Sequence, residues 1–188
     1  MRVVILPTEQ EASDFAADFI EKLIIDKENA VLGLATGSSV LLTYEALIKK
    51  YQSGKMSFKN ITTFNLDEYV GLKPHHIQSY RHYMNRKLFN HIDIDQKKTY
   101  IPECFNKDYE LSCENYESTI KSLGGIDIQV LGIGTNGHIG FNEPTSSLNS
   151  RTRVKTLTQN TIENNSRFFK DNETQPSLAI TMGIGTIM

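Results

Sequence analysis

Excess charge, cysteine and long apolar runs are all scarce in this chain, and each shortage excludes something. Across 188 residues, 20 Lys and Arg face 22 Asp and Glu for a formal net charge of -2. Nucleic acid and membrane surfaces therefore have no electrostatic claim on it, and any basic site has to be local. The two cysteines, Cys104 and Cys113, match no zinc or redox spacing. They read as free thiols in a reducing compartment, which makes the cytoplasm the expected location. No segment reaches the ~18 consecutive apolar residues of a membrane span. The opening stretch up to Pro7 is too short and turns polar too soon to be a signal-peptide core. His75, His76 and His138 show no ligand spacing of the HExxH kind, so no metal is expected.

What is present is an alternation of strand and helix signals. Val3 to Leu6 predicts a first strand. Thr8 with Glu11 forms a capping box, and Ala12, Phe15, Ala16, Phe19, Ile20 and Leu23 keep helical spacing. Val31 to Ala35 is a compact apolar run, after which Leu41, Leu42, Tyr44 and Leu47 again recur as in a helix. Ile61 to Phe64 predicts a third strand. From Tyr109, the spacing of Cys113, Tyr116, Ile120 and Leu123 predicts a helix that stops at Gly124-Gly125, before a strand over 126–133. The length fits one domain, residues 1–188. The alternation predicts an α/β fold, a mostly parallel open sheet with helices on both faces. Such a sheet gathers its ligands at the carboxyl ends of its strands. Residues 145–178 are polar and read as an excursion over that edge, with 153–182 expected to act as a mobile lid. Ala179 to Met182 is expected to return to the sheet, and residues 183–188 to add no helix.

Three loops leave strands at that edge. Thr36-Gly37-Ser38-Ser39 lies between strand and helix, where free backbone N–H groups and the helix dipole favour an anion such as phosphate. A tight turn with a plain helix cap would use the same residues. Asp67-Glu68 closes the stretch Thr63-Phe64-Asn65-Leu66. A carboxylate held there among apolar neighbours has its pKa raised toward the range of a general base. One of the two acids is expected to be that base and the other to cap a following turn, and nothing in the sequence ranks them. Asn136-Gly137-His138-Ile139-Gly140-Phe141-Asn142-Glu143-Pro144 crowds an imidazole, a carboxylate and two amides into a glycine-broken turn. His138 with Glu143 suits a proton relay. Arg151, Arg153 and Lys155 alternate, which would set three cations on one face of an extended segment.

These motifs, together with Val31-Leu32-Gly33-Leu34-Ala35-Thr36-Gly37, Thr63 to Leu72 and Ser166-Arg167-Phe168-Phe169, resemble the glucosamine-6-phosphate deaminase family over the whole chain. The resemblance implies a Rossmann-like sugar-phosphate isomerase fold. It also implies conversion of D-glucosamine 6-phosphate and water to D-fructose 6-phosphate and ammonia, in amino-sugar catabolism, with no metal or organic cofactor. Carried over by position, Asp67 would move a proton between C2 and C1 of the open-chain sugar. His138 would open the pyranose ring, with Glu143 tuning it. Gly37, Ser38, Ser39 and Arg167 would hold the substrate phosphate.

Ser146, Arg153, Lys155 and Thr156 resemble the residues with which regulated members bind N-acetylglucosamine 6-phosphate between subunits of a hexamer. The chain is therefore expected to form a homo-oligomer, hexameric at full length. Asn136 stands where some members carry an aspartate, which shifts the charge of the relay onto Glu143. Members also continue beyond the position of Met188, with further strands and helices and a phosphate-binding lysine, so the chain is expected to lack its C-terminal part. The alternatives are a 6-phosphogluconolactonase-type hydrolase and a non-catalytic sugar-phosphate sensor. Asp67 next to Glu68, together with the spacing of His138 to Glu143, favours the deaminase over the first. No helix-turn-helix segment ahead of Val3 supports the second.

Overall fold

Thr8 starts the first helix as its spacing requires: its Oγ1 accepts the N–H of Glu11 at 3.1 Å and opens α1, Glu9–Asp26. The computed structural model describes residues 2–105, 108–159, 162–163, 169 and 175–188. After α1 comes β1, Val31–Leu34, buried at every position, as befits a central strand covered on both faces. A 3-10 turn at Ser38–Val40 leads into α2, Leu41–Gln52, which packs beside α1. β2, Thr62–Asn65, pairs parallel with β1 in the register Gly33 to Phe64. The chain then crosses to a second sheet with β3, Asp67–Tyr69. α3, Tyr80–Lys87, and β4, Thr99–Tyr100, follow, and β4 pairs parallel with β2. α4, Tyr109–Ser122, precedes β5, Ile128–Gln129, which lies on the other side of β1. β6, Arg153–Thr156, β7, Leu178–Thr181, and a short helical turn α5, Ile184–Ile187, complete the order.

The main sheet is thus four parallel strands in the order β4-β2-β1-β5, flanked by helices as the alternation predicted. Phe64 fixes one of its faces. Its ring stacks on Tyr100 at 4.8 Å and meets Tyr116 of α4 edge-on at 5.5 Å. The Tyr116 hydroxyl donates to the Asn65 carbonyl at 2.7 Å, so this buried aromatic keeps its polar tip satisfied. The second sheet is antiparallel, β3-β7-β6, and sets Asp67, Thr181 and Arg153 level with one another.

Several sequence expectations give way here. Val3 to Leu6 forms no strand: these residues find no ladder partner among the described residues, and Val3 and Ile5 are 69% and 90% exposed. An apolar run becomes a strand only where a neighbour offers free N–H and C=O groups. The strand expected over 126–133 keeps a ladder only at Ile128–Gln129, although Val130 N–H still reaches the Gly33 carbonyl at 2.8 Å. Residues 184–187 do make a helical turn. Arg151 does not join Arg153 and Lys155 as a third cation on one strand face. It precedes β6, forms an ion pair with Glu117 of α4 and donates to the Gly185 carbonyl.

Candidate active site

The first two loops reach the same cavity because β1 and β2 are parallel neighbours. Their carboxyl ends lie together, and the turn after β5 lies beside them. The cavity, about 320 Å³, is lined by Thr36 to Ser39, Asp67, His138, Gly140 and Glu143, with Tyr80 and Phe141 from its side. All the described residues expected to do chemistry or hold phosphate, save Asn136, line this one space. Asn136 supports it from behind through His138 and Glu143. The loop at Thr36 to Ser39 is braced from α3, where the Tyr83 hydroxyl donates to the Gly37 carbonyl at 2.6 Å. Arg167 lies outside the described residues.

The structure separates the two adjacent acids. The Glu68 carboxylate accepts the backbone N–H groups of Tyr69 at 2.9 Å, Tyr80 at 2.9 Å and Arg81 at 3.0 Å, two of them from the first turn of α3. It is a helix-start anchor, as a carboxylate near unsatisfied N–H groups and the positive end of a dipole should be. Burial still holds its pKa above the usual value, with those N–H groups pulling the other way. Asp67 points into the cavity instead. It is 6% exposed, and burial, helped by the nearby Glu68 charge, pushes its carboxyl up to about 8.

The turn after β5 sets out a hydrogen-bonded chain. Asn136 Nδ2 donates to Glu143 Oε2 at 2.9 Å, and Asn136 Oδ1 faces both the backbone N–H of His138 at 3.1 Å and its ring Nδ1 at 2.7 Å. Because a carboxylate only accepts, the amide orientation is fixed without seeing hydrogens. His138 Nδ1 must then carry a proton, and in the neutral ring Nε2 is left as the acceptor. Gly134 makes room for the imidazole: a Cβ there would meet the ring at 2.1 to 2.4 Å. Gly140, at φ 57°, passes over Asp67 so closely that a Cβ would stand 3.1 Å from Oδ2.

Sequence reasoning missed Tyr80 and the role of Gly134. Tyr80 is stacked nearly parallel with Phe141, rings 6.4 Å apart and 5° from coplanar, and lies 4.9 Å from the Tyr69 ring. Its only sequence signal was Ser79, which caps α3 by accepting the His82 N–H at 3.0 Å. Of the residues expected to hold an effector, Arg153 and Lys155 project from the same side of β6, opposite Thr181 and Ala179 of β7. Ser146 closes the turn after Glu143, donating its N–H to the Glu143 carbonyl at 2.8 Å, and Thr156 is exposed at the end of β6. Among the described residues no group of three or more His, Cys, Asp or Glu is placed to hold a metal ion. No helix among them is long and apolar enough to cross a membrane.

With this geometry in place, the chain can be set beside known proteins. The sequence profile of the family described as glucosamine-6-phosphate isomerases/6-phosphogluconolactonase matches residues 8–183. A glucosamine-6-phosphate deaminase of Shewanella halifaxensis is 55% identical over 100% of this chain and 72% of its own length. A solved structure described as a monomeric glucosamine-6-phosphate deaminase superposes with a TM-score of 0.95 at 48% identity, covering 100% of this chain and 78% of that one. A 6-phosphogluconolactonase from Thermotoga maritima shares the fold at a TM-score of 0.69 and 22% identity, over 93% of this chain and 74% of that one.

Proposed function

The chain belongs to the glucosamine-6-phosphate isomerase/6-phosphogluconolactonase family, and from that premise we propose that it is a glucosamine-6-phosphate deaminase acting in amino-sugar catabolism. It converts D-glucosamine 6-phosphate and water to D-fructose 6-phosphate and ammonia. The observation that carries the assignment of roles is the single cavity into which a buried, basic carboxylate and an imidazole with a free Nε2 both open.

The reaction needs proton carriers at two places. In the cyclic sugar, neutral His138 accepts the C1 hydroxyl proton on Nε2 and returns it to the ring oxygen, which opens the pyranose to the aldehyde. The imidazolium formed in passing is stabilised by the Glu143 charge, relayed through the neutral Asn136 amide. In the open chain, Asp67 takes the C2 proton and delivers one to C1, so the amine-bearing carbon becomes an imine. Water adds to that imine and ammonia leaves. A carboxylate raised to about 8 is a far stronger base than an ordinary one and still ionises near neutral pH. Gly37, Ser38 and Ser39 hold the phosphate away from the reacting carbons, joined by Arg167, so that binding energy at a distance orients the sugar.

We further propose that N-acetylglucosamine 6-phosphate acts as an effector at Ser146, Arg153, Lys155 and Thr156 in a homo-oligomer, a hexamer at full length. The two cations on one side of β6, and the lack of a carboxylate partner for Arg153 among the described residues, support an anion there. The monomeric description of a 48% identical relative makes assembly a separate question from activity. Two buried free thiols support a reducing, cytoplasmic location. The test is ammonia release from glucosamine 6-phosphate, assayed beside hydrolysis of 6-phosphogluconolactone and equilibrium binding of both ligands. Ammonia release is expected. Lactone hydrolysis alone, or binding without turnover, would replace the reading with the hydrolase or the sensor.

A further inference from the structure

We propose that Asn142, gripped by Arg153, is a positioning residue that seats the turn 139–142 over Asp67 and aims Glu143 at Asn136. Arg153 thereby governs turnover without touching substrate. The inference rests on the reading of Asp67 and His138 as proton carriers, and deepens it.

Every polar atom of the Asn142 side chain is used. It is 2% exposed, its Nδ2 donates to the carbonyls of Ile139 at 3.0 Å and Met182 at 2.7 Å, and its Oδ1 accepts from Arg153 Nη2 at 2.8 Å. Two carbonyls on one side and a guanidinium on the other permit only this amide orientation. The backbone of the turn closes on itself, with Ile139 N–H donating to the Asn142 carbonyl at 3.1 Å and Asn142 N–H to the Ile139 carbonyl at 3.0 Å. Phe141 N–H adds a bond to Thr181 Oγ1 at 3.3 Å.

The turn is therefore tied to β7 through Thr181, to Met182 just after that strand, and to β6 through Arg153. Because Asp67, Thr181 and Arg153 share one level of the second sheet, the same turn lies over the base. Gly140 covers the Asp67 carboxylate, and Glu143, the next residue after Asn142, ends the relay chain that reaches His138. Arg153 itself is absent from the cavity lining and is half-buried, so its donor reaches the site through Asn142. Removing the guanidinium would leave a buried amide oxygen unpaired and loosen the clamp.

The test reads kinetics and amide exchange in Arg153→Met, Arg153→Lys, Asn142→Ala and the Arg153→Met/Asn142→Ala pair. Arg153→Met and Asn142→Ala are each expected to lower kcat about tenfold or more, with KM nearly unchanged, since misplacement of catalytic groups is costly. The pair should do little worse than Asn142→Ala alone, because the two side chains act as one unit. Arg153→Lys, which keeps a donor, should recover most of the loss. Amide hydrogen exchange at Ile139, Phe141 and Asn142 is expected to quicken in Arg153→Met while exchange in β1 stays as in the parent. That reading does not depend on activity. A parent protein without ammonia release would remove the reaction, while the exchange arm still decides the clamp. Unchanged exchange at the turn in Arg153→Met, effects that multiply in the pair, or a loss confined to KM would each overturn the proposal. Should Asn142→Ala fail to fold, the Arg153→Met and Arg153→Lys exchange profiles decide it alone.

Discussion

Replacing Asp67 with asparagine should make the protein inactive and, at the same time, increasingly more stable than the parent as the pH rises. The carboxyl is 6% exposed and is pushed from 3.8 up to about 8 by burial first and by the Glu68 charge second. Its folded-state pKa lies above the unfolded one, so the stability linked to it is fully present below pH 3.8. That stability is lost as pH rises through about 8. A gap of roughly four pH units at ~1.4 kcal/mol each is on the order of 5 kcal/mol, most of it lost between pH 5 and pH 8. The Asp67→Asn side chain has nothing to ionise. Denaturant midpoints at pH 5, 6, 7 and 8 should therefore show Asp67→Asn gaining steadily on the parent. The thermal equivalent is on the order of 10 °C at the upper end, taking ~2–4 °C per kcal/mol for a chain of this size. In the same samples kcat should fall by about 10²- to 10⁴-fold, the usual contribution of a positioned base. In the parent, kcat/KM should climb through a limb near pH 8 as the free base ionises. A stability difference that stays constant across this range, or a variant that keeps its activity, would refute the reasoning.

Four other substitutions probe the remaining parts. Glu68→Gln should leave the chemistry largely intact but lose about 1–3 kcal/mol of stability, since three N–H groups, two of them at the start of α3, lose a charged acceptor; equilibrium unfolding beside kcat checks this. Gly134→Ala should lower kcat by roughly tenfold or more with the fold retained, because a Cβ would sit 2.1 Å from the His138 ring and push it aside. Far-UV circular dichroism with steady-state kinetics separates the two effects. Glu143→Gln preserves an acceptor for Asn136 but removes the charge, and should nearly abolish turnover. Asn136→Asp puts a second carboxylate into the relay beside the imidazole and should change the pH dependence of turnover, read from the kcat profile. Full activity of Glu143→Gln would break the relay.

The parts of the molecule set by local pattern were legible in the sequence. Thr8 and Glu11 announced α1, the spacing from Tyr109 announced α4, and the buried run at Val31 announced the central strand. The convergence of three loops followed from parallel pairing alone. What could not be read depended on partners far along the chain. Asp67 and Glu68 are adjacent and chemically alike, and only the return of α3 to the Glu68 carboxylate distinguishes them. The second sheet joins Asp67 to Thr181, a pairing with no local signature. Val3 to Leu6 carried the composition of a strand but not a paired edge. Gly134 and Asn142 carry no local signal of their roles, and their significance lies in an imidazole packed on one and an arginine held by the other.

The central claim is that this cavity moves a proton from C2 to C1 of an open amino sugar and releases its nitrogen. Turnover of glucosamine 6-phosphate in deuterium oxide, followed by ammonia assay and by NMR of the product, measures that directly. Equimolar ammonia and fructose 6-phosphate are expected, with any solvent deuterium confined to C1 and the rest of that position filled by the proton carried from C2, and both products should vanish in Asp67→Asn. Deuterium entering a carbon other than C1, or undiminished turnover without the Asp67 carboxylate, would contradict the account.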